Sequence, residues 1–357
     1  MRILVATDAW HPQVNGVVRT YERLAVELGR LGVELHLLTP HEFNTLPCPT
    51  YPEIRLALPW SGHIAGRFAA IKPDAVHIAT EGPIGWMVRN YCRSRHVRFT
   101  TSFHTRFPEY LNQRFSIPVG WTTGVLRRFH NAGAGVMVAT PSLAHELECL
   151  GFERILPWTR GVDMQLFHPR PIRLFGAEPV FLYVGRVAAE KNLAAFLDLE
   201  LPGRKVVVGG GPQLAELAAR YADVLFTGKK TGEALAEAYA SADVFVFPSR
   251  TDTFGIVLLE AMASGVPVAA LPVPGPIDVV AQGESGIVSE DLRAATLGAL
   301  LLDRTKVAAK AAEYSWENTA RLFLANITGA CLGGVARVPA GTKLPLANLP
   351  RQRNARV

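Results

Sequence analysis

Short apolar runs alternate with amphipathic stretches along the first half of the chain. Residues 2–7 form a continuous apolar run that predicts a buried strand, and residues 17–31 repeat apolar positions about every 3.6 residues, which predicts a helix. The same alternation predicts further strands at 33–39, 74–79, 97–102 and 135–140, and further helices at 83–95, 119–131 and 142–150. Hydrophobic strands separated by helices indicate a parallel sheet that helices cover on both faces.

A proline-containing stretch at 159–173 interrupts this pattern, and a second series of strands follows it. Its predicted strands are 180–184, 205–208, 224–226, 244–247 and 266–270. We therefore expect an N-terminal α/β domain at 1–170 and a second α/β domain at 171–330, closed by a helix near 315–327. Residues 331–357 are proline-rich, lack acidic residues and are expected to form a flexible basic tail.

Length and composition agree with two domains. The chain has 357 residues, of which 49% are hydrophobic, and this excludes a disordered chain. The net charge of +6 is uneven: residues 1–169 carry +4, residues 170–330 carry −3, and the tail carries +5. A basic first half suits an anionic partner such as phospholipid, lipid phosphate or nucleic acid, although an excess of this size also serves solubility alone.

Cysteine usage and hydropathy indicate the compartment. The four cysteines are scattered without a C-x-x-C pair, which argues against a disulfide framework or a zinc knuckle and fits a reducing compartment. The N-terminal apolar run is too short for a signal peptide, and no stretch is long enough to span a bilayer. We expect a cytoplasmic protein, soluble or peripheral on the inner face of the cell membrane.

Glycines and cations follow several predicted strands. Gly16 precedes the first helix, where free backbone N–H groups favour a phosphate, although Asn15-Gly16 taken alone is more often a plain turn. Arg186, after Val184-Gly185, and Lys191 could clamp a diphosphate, or they could be surface cations that pair with Glu190. The turn Gly209-Gly210-Gly211 after the next strand lets the backbone approach a ligand.

Two acidic residues bracket an apolar segment at a later junction between strand and helix. Asp252 falls in the loop, and Glu260 falls about a turn and a half into the helix. A carboxylate inside an apolar helix needs a hydrogen-bonding partner once it is buried, and ribose hydroxyls would serve.

Together these motifs resemble the retaining, nucleotide-sugar-dependent glycosyltransferases of family four. The resemblance rests on N-G-V at 15–17, S-F-H-T at 102–105, R-G-V-D-M-Q-L-F-H-P at 160–169, V-G-R-V-A-A-E-K-N at 184–192 and the segment from Asp252 to Glu260. It implies an α/β GT-B fold, in which two Rossmann-like, doubly wound parallel-sheet domains face a central cleft. It also implies that the N-terminal domain takes the acceptor and the C-terminal domain binds the nucleotide sugar.

The resemblance assigns roles residue by residue. Arg186 and Lys191 would bind the donor diphosphate, Glu260 the ribose, and Asp252 the hydroxyls of the transferred sugar. His104 would lie near the reacting face of the sugar, although a lone histidine at a strand end is also a common structural residue. The implied catalytic residues are His104, Asp252, Arg186 and Lys191, and the implied donor-binding residues add Gly16, Gly185, Gly209, Gly210, Phe254, Gly255 and Glu260.

Two positions depart from the family pattern. Asp252 replaces the usual glutamate, and Arg160 stands where a neutral residue is common, so that it either adds to an anionic site or is simply exposed. The motifs look most like bacterial GDP-mannose-dependent α-mannosyltransferases. They also look like the glucosyl- and sulfoquinovosyl-transferring enzymes of glycolipid synthesis, which would use a UDP-sugar.

The sequence contains no D-x-D pair, so we expect no metal and no cofactor, with cations and backbone amides stabilising the leaving diphosphate. The family mechanism is substitution on the same face, in which the leaving phosphate takes the acceptor's proton and His104 positions the sugar. Other classes of function remain open: an epimerase or a phosphorylase of the same fold, or a non-catalytic partner that binds nucleotide sugars.

The acceptor is expected to be a lipid or a glycan. Basic residues lie among aromatic and aliphatic ones between 103 and 128, a mixture that could seat a lipid headgroup and contact an anionic membrane. The basic residues are Arg106, Arg114, Arg127 and Arg128. An ordinary helix surface is the alternative, and nucleic acid is not expected, because no nucleic-acid-binding motif accompanies the charge.

Overall fold

The computed structural model describes residues 1–12, 16–48, 51–104, 118–250, 252 and 254–333. These residues form two compact units. The first unit contains the described residues of Met1–His104, Gly120–Thr159 and those from Asn318 onward, and the second contains Arg160–Glu317 with residues 118 and 119. In the described part of the chain, each unit is built on a parallel six-stranded sheet, which confirms the predicted class of two doubly wound α/β domains.

The first unit has the strand order β2-β1-β5-β6-β7-β8, with a separate antiparallel hairpin of β3 and β4. Its strands are β1 (Arg2–Ala6), β2 (Glu34–Leu38), β3 (Thr45–Cys48), β4 (Tyr51–Ala57), β5 (Ala75–Ile78), β6 (Phe99–Phe103), β7 (Gly135–Val138) and β8 (Ile155–Pro157). Its helices before the second unit begins are α1 (Gly16–Arg30), α2 (Ser61–Ile71), α3 (Pro83–Ser94), α4 (Val119–His130) and α5 (Pro141–Cys149).

The second unit has the strand order β11-β10-β9-β12-β13-β14. Its strands are β9 (Val180–Val184), β10 (Arg204–Val208), β11 (Leu225–Gly228), β12 (Val244–Phe247), β13 (Val268–Ala270) and β14 (Gly286–Val288). Its helices are α6 (Ala194–Leu197), α7 (Leu214–Arg220), α8 (Gly232–Ala240), α9 (Ile256–Ala263), α10 (Pro276–Val279), α11 (Leu292–Ala299) and α12 (Arg304–Ala311). The chain then enters α13 (Trp316–Leu332).

Strand β1 shows why the apolar run at the N-terminus folds as a central strand. Ile3 and Val5 belong to a core cluster on one face of the sheet, and Leu4 and Ala6 belong to a different cluster on the other face. Successive side chains of a strand point to opposite faces, so a strand buried on both sides must be apolar throughout. All four residues are fully buried.

Helix α13 packs mainly on the first unit, although the sequence predicted that it would close the second domain. The indole Nε1 of Trp158 donates to the carbonyl of Thr319 at 3.1 Å, and the amide of Asn326 donates to the carbonyl of Pro157 at 2.8 Å. The ring of Phe323 lies 5.1 Å from that of Trp158. The second unit also begins at Arg160 rather than near residue 170. The predicted tail lies outside the described residues from position 334 onward.

Each sheet reverses its strand order at one position. In the first unit the chain leaves β1 for β2 on one side and later returns to β5 on the other, and in the second unit β9 lies between β10 and β12 in the same way. Ligands of doubly wound sheets bind beyond the carboxyl ends of the strands at such a switch point. A ligand site is therefore expected at the turns after β1, β5, β9 and β12.

Candidate active site

The turns after β9 and β10 bring glycines into direct backbone contact. A Cβ atom on Gly209 would lie 1.8 Å from the carbonyl oxygen of Gly185, and one on Gly211 would lie 2.3 Å from that of Val187. A Cβ atom on Gly210 would meet nothing within 4 Å. The fold therefore requires Gly209 and Gly211, whereas Gly210 leaves open space at the end of β10. Of these, Gly211 was not among the predicted donor-binding residues.

Arg186 follows β9 at the switch point of the second unit. Its side chain is 34% exposed, and its Nη1 lies 3.7 Å from Oε1 of Glu190, so the pairing that the sequence left open is present at long range. The hydroxyl of Tyr183 donates to the carbonyl of Arg186 at 2.9 Å. Burial, reinforced by the charges of Asp252 and Glu190, raises the pKa of the Tyr183 hydroxyl well above its ordinary value, which keeps it a donor.

Lys191 and Asp252 form a close ion pair across this switch point. The ammonium of Lys191 donates to Oδ1 of Asp252 at 2.7 Å and to Oδ2 at 2.8 Å, and both side chains are about one-fifth exposed. Asn192, next to Lys191, has a left-handed backbone with φ of 53° and donates from its amide to the carbonyl of Pro248 at 3.1 Å. The turn after β9 is thereby fastened to the turn after β12. The sequence predicted both charged residues but not their contact.

Glu260 lies in α9 and is only 3% exposed. The hydroxyl of Tyr239, on α8, donates to its Oε2 at 2.9 Å. Tyr239 is itself fully buried, and its ring lies 5.7 Å from that of Phe167. A buried carboxylate requires such a donor. Sequence reasoning missed Tyr239, because the apolar spacing of α8 marks it only as a core residue.

Phe254 and Gly255 connect the loop of Asp252 to α9. The ring of Phe254 is 4% exposed and lies 6.4 Å from the ring of Tyr314, so that it is a core side chain. Gly255 precedes the first helical residue with φ of +79°, a backbone conformation that L side chains rarely adopt. Donor contacts from these two residues would therefore involve the backbone.

Arg160 is buried in the second unit, with an exposure of 4%. This result corrects one of the two expectations for this position, that of a simply exposed cation. Burying a guanidinium is unfavourable unless its charge is compensated. Its low exposure makes Arg160 part of the packed start of the second unit.

In the first unit, Asp8 follows β1 and holds the start of α3. Its Oδ1 accepts from the backbone N–H of Ile84 at 2.7 Å, its Oδ2 accepts from that of Gly85 at 3.2 Å, and the hydroxyl of Thr80 donates to Oδ2 at 3.0 Å. Burial outweighs these hydrogen bonds and raises the pKa of Asp8 from 3.8 to about 6. Gly16, predicted to approach the donor, is the first residue of α1 and is exposed; residues 13–15 before it are outside the described part.

His104 follows β6 and is partly exposed. Its Nε2 lies 3.3 Å from the hydroxyl of Tyr21, and the two rings meet edge to face with centroids 5.9 Å apart. The ring of Trp158 lies 6.0 Å from that of His104 on another side. Both neighbours are fully buried, so the core of the first unit orients the imidazole. The sequence predicted His104 as a site residue but neither of these two neighbours.

Of the predicted acceptor stretch, the structure describes residues 103 and 104 and those from 118 onward. Arg106 and Arg114 lie outside the described residues. Arg127 and Arg128 are exposed on α4, and Arg127 donates to the carbonyl of Leu150 at 3.1 Å. Trp121, on the same helix, is 68% exposed. Helix α4 therefore carries an exposed indole and two exposed guanidinium groups.

Two features are absent from the described part of the chain, namely a cluster of metal ligands and a membrane-spanning helix. No group of three or more histidine, cysteine, aspartate or glutamate side chains in the described ranges is arranged to hold a metal ion. No described helix combines the length and the apolar character needed to cross a bilayer.

Two known protein families match the chain, and the two matches together cover most of it. Residues 14–166 match "Glycosyltransferase Family 4", and residues 178–303 match "Glycosyl transferases group 1". The chain is 30% identical over 322 residues to the GDP-mannose-dependent alpha-mannosyltransferase of Mycolicibacterium smegmatis, and the match covers 81% of this chain and 84% of that protein.

Two further proteins are similar to it. The chain is 30% identical over 304 residues to the sulfoquinovosyl transferase SQD2 of Arabidopsis thaliana; the match covers 76% of this chain but only 60% of the length of the plant protein. The structure superimposes on the sucrose-phosphate synthase of Thermosynechococcus elongatus with a TM-score of 0.71 at 21% identity, covering 89% of this chain and 96% of the other.

The fold and the family matches define a glycosyltransferase of the GT-B type, as the sequence predicted. The chain belongs to glycosyltransferase family 4.

Proposed function

We propose that this glycosyltransferase is a retaining, metal-independent enzyme that moves mannose from GDP-mannose to a lipid or glycan acceptor in α linkage. The observation that carries the proposal is the Lys191–Asp252 ion pair beside Arg186, at the switch point of the second unit. It places two cations and one carboxylate at the edge of the sheet where a nucleotide ligand of this fold would bind.

The two cations serve the leaving group. Breaking the glycosyl–phosphate bond leaves negative charge on the nucleoside diphosphate, and prearranged cations stabilise that charge without reorganisation. The ammonium of Lys191 has three N–H donors, and it makes two contacts with Asp252. It can therefore hold the carboxylate and donate a hydrogen bond to a phosphate at the same time. Gly210, with open space at its Cα, lets the diphosphate approach the backbone.

The two carboxylates suit binding better than attack on the sugar. A double displacement requires a carboxylate directed at the anomeric carbon. Asp252 is engaged by Lys191, and Glu260 is buried against Tyr239. We therefore assign Asp252 to the sugar hydroxyls and Glu260 to the ribose. The leaving phosphate then takes the acceptor's proton on the same face of the sugar, and His104 positions the sugar.

The choice of mannose follows the relatives. A protein named as a GDP-mannose-dependent mannosyltransferase is 30% identical to this chain and is covered over 84% of its length. A second candidate is the transfer of sulfoquinovose or glucose from a UDP-sugar to a glycolipid acceptor. It is supported by the sulfoquinovosyl transferase, which is also 30% identical to this chain but is covered over only 60% of its length.

The acceptor is proposed to be presented at an anionic membrane surface. Exposed indole and guanidinium groups on one helix are the side chains that favour the membrane interface, and α4 presents Trp121, Arg127 and Arg128. The expected result is co-flotation with vesicles that contain anionic phospholipid at low salt, and its loss in Trp121→Ala with Arg127→Ala and Arg128→Ala. Absence of co-flotation of the unaltered protein would remove the membrane from the proposal.

Donor binding is the first test. The thermal midpoint of the purified chain is measured in chelator with GDP-mannose, UDP-glucose, UDP-sulfoquinovose and the two nucleoside diphosphates. We expect stabilisation by GDP and GDP-mannose that is lost in Arg186→Ala and retained in Arg204→Ala. Arg204 is a suitable control, because it lies at the opposite, amino end of the same sheet and pairs with Glu178. Stabilisation by the UDP series alone would favour the second candidate, and none at millimolar ligand would contradict both.

A further inference from the structure

An open cavity of about 750 Å³ lies at the amino ends of three neighbouring strands of the first sheet. Arg98 immediately precedes β6, Ala134 precedes β7 and Arg154 precedes β8, and all three residues line the cavity. Its lining residues belong to the first unit alone. The candidate active site follows the opposite, carboxyl ends of the strands, so the cavity is a separate feature of the molecule.

The ionisable side chains on the wall of this cavity are basic apart from one thiol. The basic ones are Arg93, His96, Arg98 and Arg154, and none of the lining residues is an aspartate or a glutamate. The second unit offers a contrast, because a cavity of about 600 Å³ at the amino edge of its sheet has acidic as well as basic walls. Its charged residues are Lys205, Arg293, Asp198, Glu200 and Asp223. A wholly basic cavity is therefore not a general property of this edge of the fold.

The fold does not use the charges of Arg93 and Arg98. Within the described residues, neither guanidinium makes an ion pair or a hydrogen bond, and both side chains are exposed. Arg93 lies in the last turn of α3, where a cation often satisfies the final carbonyl groups. Here the backbone N–H groups of residues 95–97 already donate to those carbonyl groups. Arg93 also faces like charge, because burial and then the charge of Arg93 lower the pKa of the Arg89 guanidinium.

Arg154 differs, because its guanidinium is fastened to the wall of the cavity. Its Nε donates to the carbonyl of Gly133 at 3.2 Å, its Nη2 donates to the carbonyl of Asn131, and its Nη1 pairs with Glu153 at 2.7 Å. These contacts join the turn before β7 to the start of β8. The cavity is thereby held open in advance, which lowers the cost of ordering it around a ligand.

The described end of the chain adds no counter-charge to the cavity. Gly329 and Ala330, in α13, line it, and Gly333 is the last described residue after them. Residues 334–357 contain five basic residues and no acidic residue, so like charge disfavours that segment as the occupant. An anion from outside the chain is the occupant that the charges favour.

We propose that this cavity binds an organic phosphate, with Arg93 and Arg98 as the residues that contact the phosphate group. Guanidinium groups form charge-assisted and often bidentate hydrogen bonds with phosphate oxygens. The volume lies within the range of about 300–1,000 Å³ that is usual for small-molecule sites. The buried side chains of Cys92 and Phe99 also line the cavity and provide an apolar surface for the organic part. The proposal does not depend on the proposed function, because no lining residue is assigned to the donor or the sugar.

Binding is measured with glycerol 3-phosphate and the full chain, isotope-labelled at glycine. The amide resonances of Gly133 and Gly329, which line the cavity, are followed by NMR during the titration. We expect a saturable shift of both resonances. In the double variant Arg93→Ala with Arg98→Ala, the Kd should rise about tenfold or more, because hydrogen bonds to charged groups are lost. No saturable shift at millimolar ligand, or an unchanged Kd in the double variant, would overturn the proposal.

The matched control is Arg30→Ala with Arg55→Ala, which removes the same charge elsewhere in the first unit. Arg30 pairs with Glu27 on α1, and Arg55 donates to Thr45 within the β3–β4 hairpin. The control should change the Kd less than about twofold, since distant exposed charges are screened. An equal loss in the control would show attraction by net charge alone. Loss of the same shifts in Arg186→Ala would place the ligand at the donor site, and either result would contradict the proposal.

A second probe identifies the source of the phosphate. Dihexanoyl phosphatidic acid carries the same phosphate monoester on a glycerol with short acyl chains, and it is used below its critical micelle concentration. If it binds more tightly than glycerol 3-phosphate at the same glycines, the site takes a lipid headgroup; if it binds more weakly, the site takes a soluble phosphate. Binding of both probes that is insensitive to the substitutions at Arg93 and Arg98 would overturn the proposal for either source.

Discussion

Lys191 and Asp252 are 61 positions apart in sequence, yet the ammonium of one lies 2.7 and 2.8 Å from the two carboxylate oxygens of the other. Their turns follow β9 and β12, which are neighbours in the sheet although β10 and β11 lie between them in sequence. The reversal of strand order thus brings a cation and an anion to one edge. The two motifs that carry them therefore meet at one place in the fold.

The ion pair predicts strongly coupled variants. Asp252→Asn should reduce turnover about 100-fold, since it removes the charge that holds the Lys191 ammonium and that contacts the sugar in the proposed function. The unfolding free energy should change by less than about 1 kcal/mol, because the cost of desolvating both charges offsets much of the attraction in a partly buried pair. The double variant with Lys191→Met should lose little more than Lys191→Met alone, as expected for residues that act together.

A control for this series is Glu233→Gln. Glu233 pairs with Arg170 at 2.6 Å in the same unit, and it follows β11, which is two strands away from β9 in the sheet. Its substitution should leave turnover unchanged. Independent, additive losses from Lys191→Met and Asp252→Asn would show that the pair has no joint function.

Neighbouring glycines should respond differently to the same added methyl group. Gly209→Ala should cost more than about 2 kcal/mol of unfolding free energy, because its Cβ would lie 1.8 Å from a backbone carbonyl oxygen. Gly210→Ala should change stability by less than about 1 kcal/mol, and the methyl group would weaken donor binding if the diphosphate lies there. Urea unfolding and donor titration separate the two effects; tight donor binding by a stable Gly210→Ala variant would remove Gly210 from the donor site.

The contact between Tyr239 and Glu260 predicts a defect in nucleoside binding. Tyr239→Phe removes the donor to a buried carboxylate and should cost about 1–3 kcal/mol of stability. It should also weaken the binding of GDP and of GDP-mannose by the same factor, since we assign Glu260 to the ribose that both ligands share. Calorimetric titration with each ligand checks this. If only the binding of GDP-mannose were weakened, Glu260 would have to be assigned to the transferred sugar instead of the ribose.

Asp8 predicts a pH dependence of stability. Its pKa is about 6 in the folded protein against 3.8 for the ordinary carboxyl group, so the folded state binds the proton more tightly than the unfolded chain between these values. The stabilising contribution of protonated Asp8 is complete below about pH 3.8 and is lost as the pH rises to about 6, a change of roughly 2–3 kcal/mol at most.

Asp8→Asn isolates this contribution from other titrating groups. The unfolding free energy of the unaltered protein, relative to that of Asp8→Asn, should fall between about pH 3.8 and pH 6 and stay level above it. A relative stability that rises through this interval would show that the hydrogen bonds to the start of α3 outweigh the burial of the carboxyl group.

The sequence predicted the strands that are long and apolar. Strands β9 and β12 have the predicted bounds, and β1 is one residue shorter than predicted. It did not predict β8 or β14, whose three residues are too few to establish a period. The β3–β4 hairpin was also missed, because its short segments contain prolines that argue against a strand.

The site was predicted at the level of residue types but not of partners. Glycines, cations and acids at strand ends are readable because their chemistry is local. The partners Tyr21 of His104 and Tyr239 of Glu260 depend on how distant helices pack, and a buried tyrosine has the same apolar spacing as any core residue. For the same reason α13 could be predicted as a helix, whereas the unit on which it packs could not.

Product stereochemistry in the presence of chelator tests the central claim most directly. The chain is incubated in EDTA with GDP-mannose and vesicles containing diacylglycerol and anionic phospholipid, and the anomeric configuration of the transferred sugar is determined by NMR. Our account predicts an α-linked product, formed at the same rate with and without EDTA and absent in Lys191→Met. A β-linked product, or turnover that EDTA abolishes and Mg²⁺ restores, would contradict it.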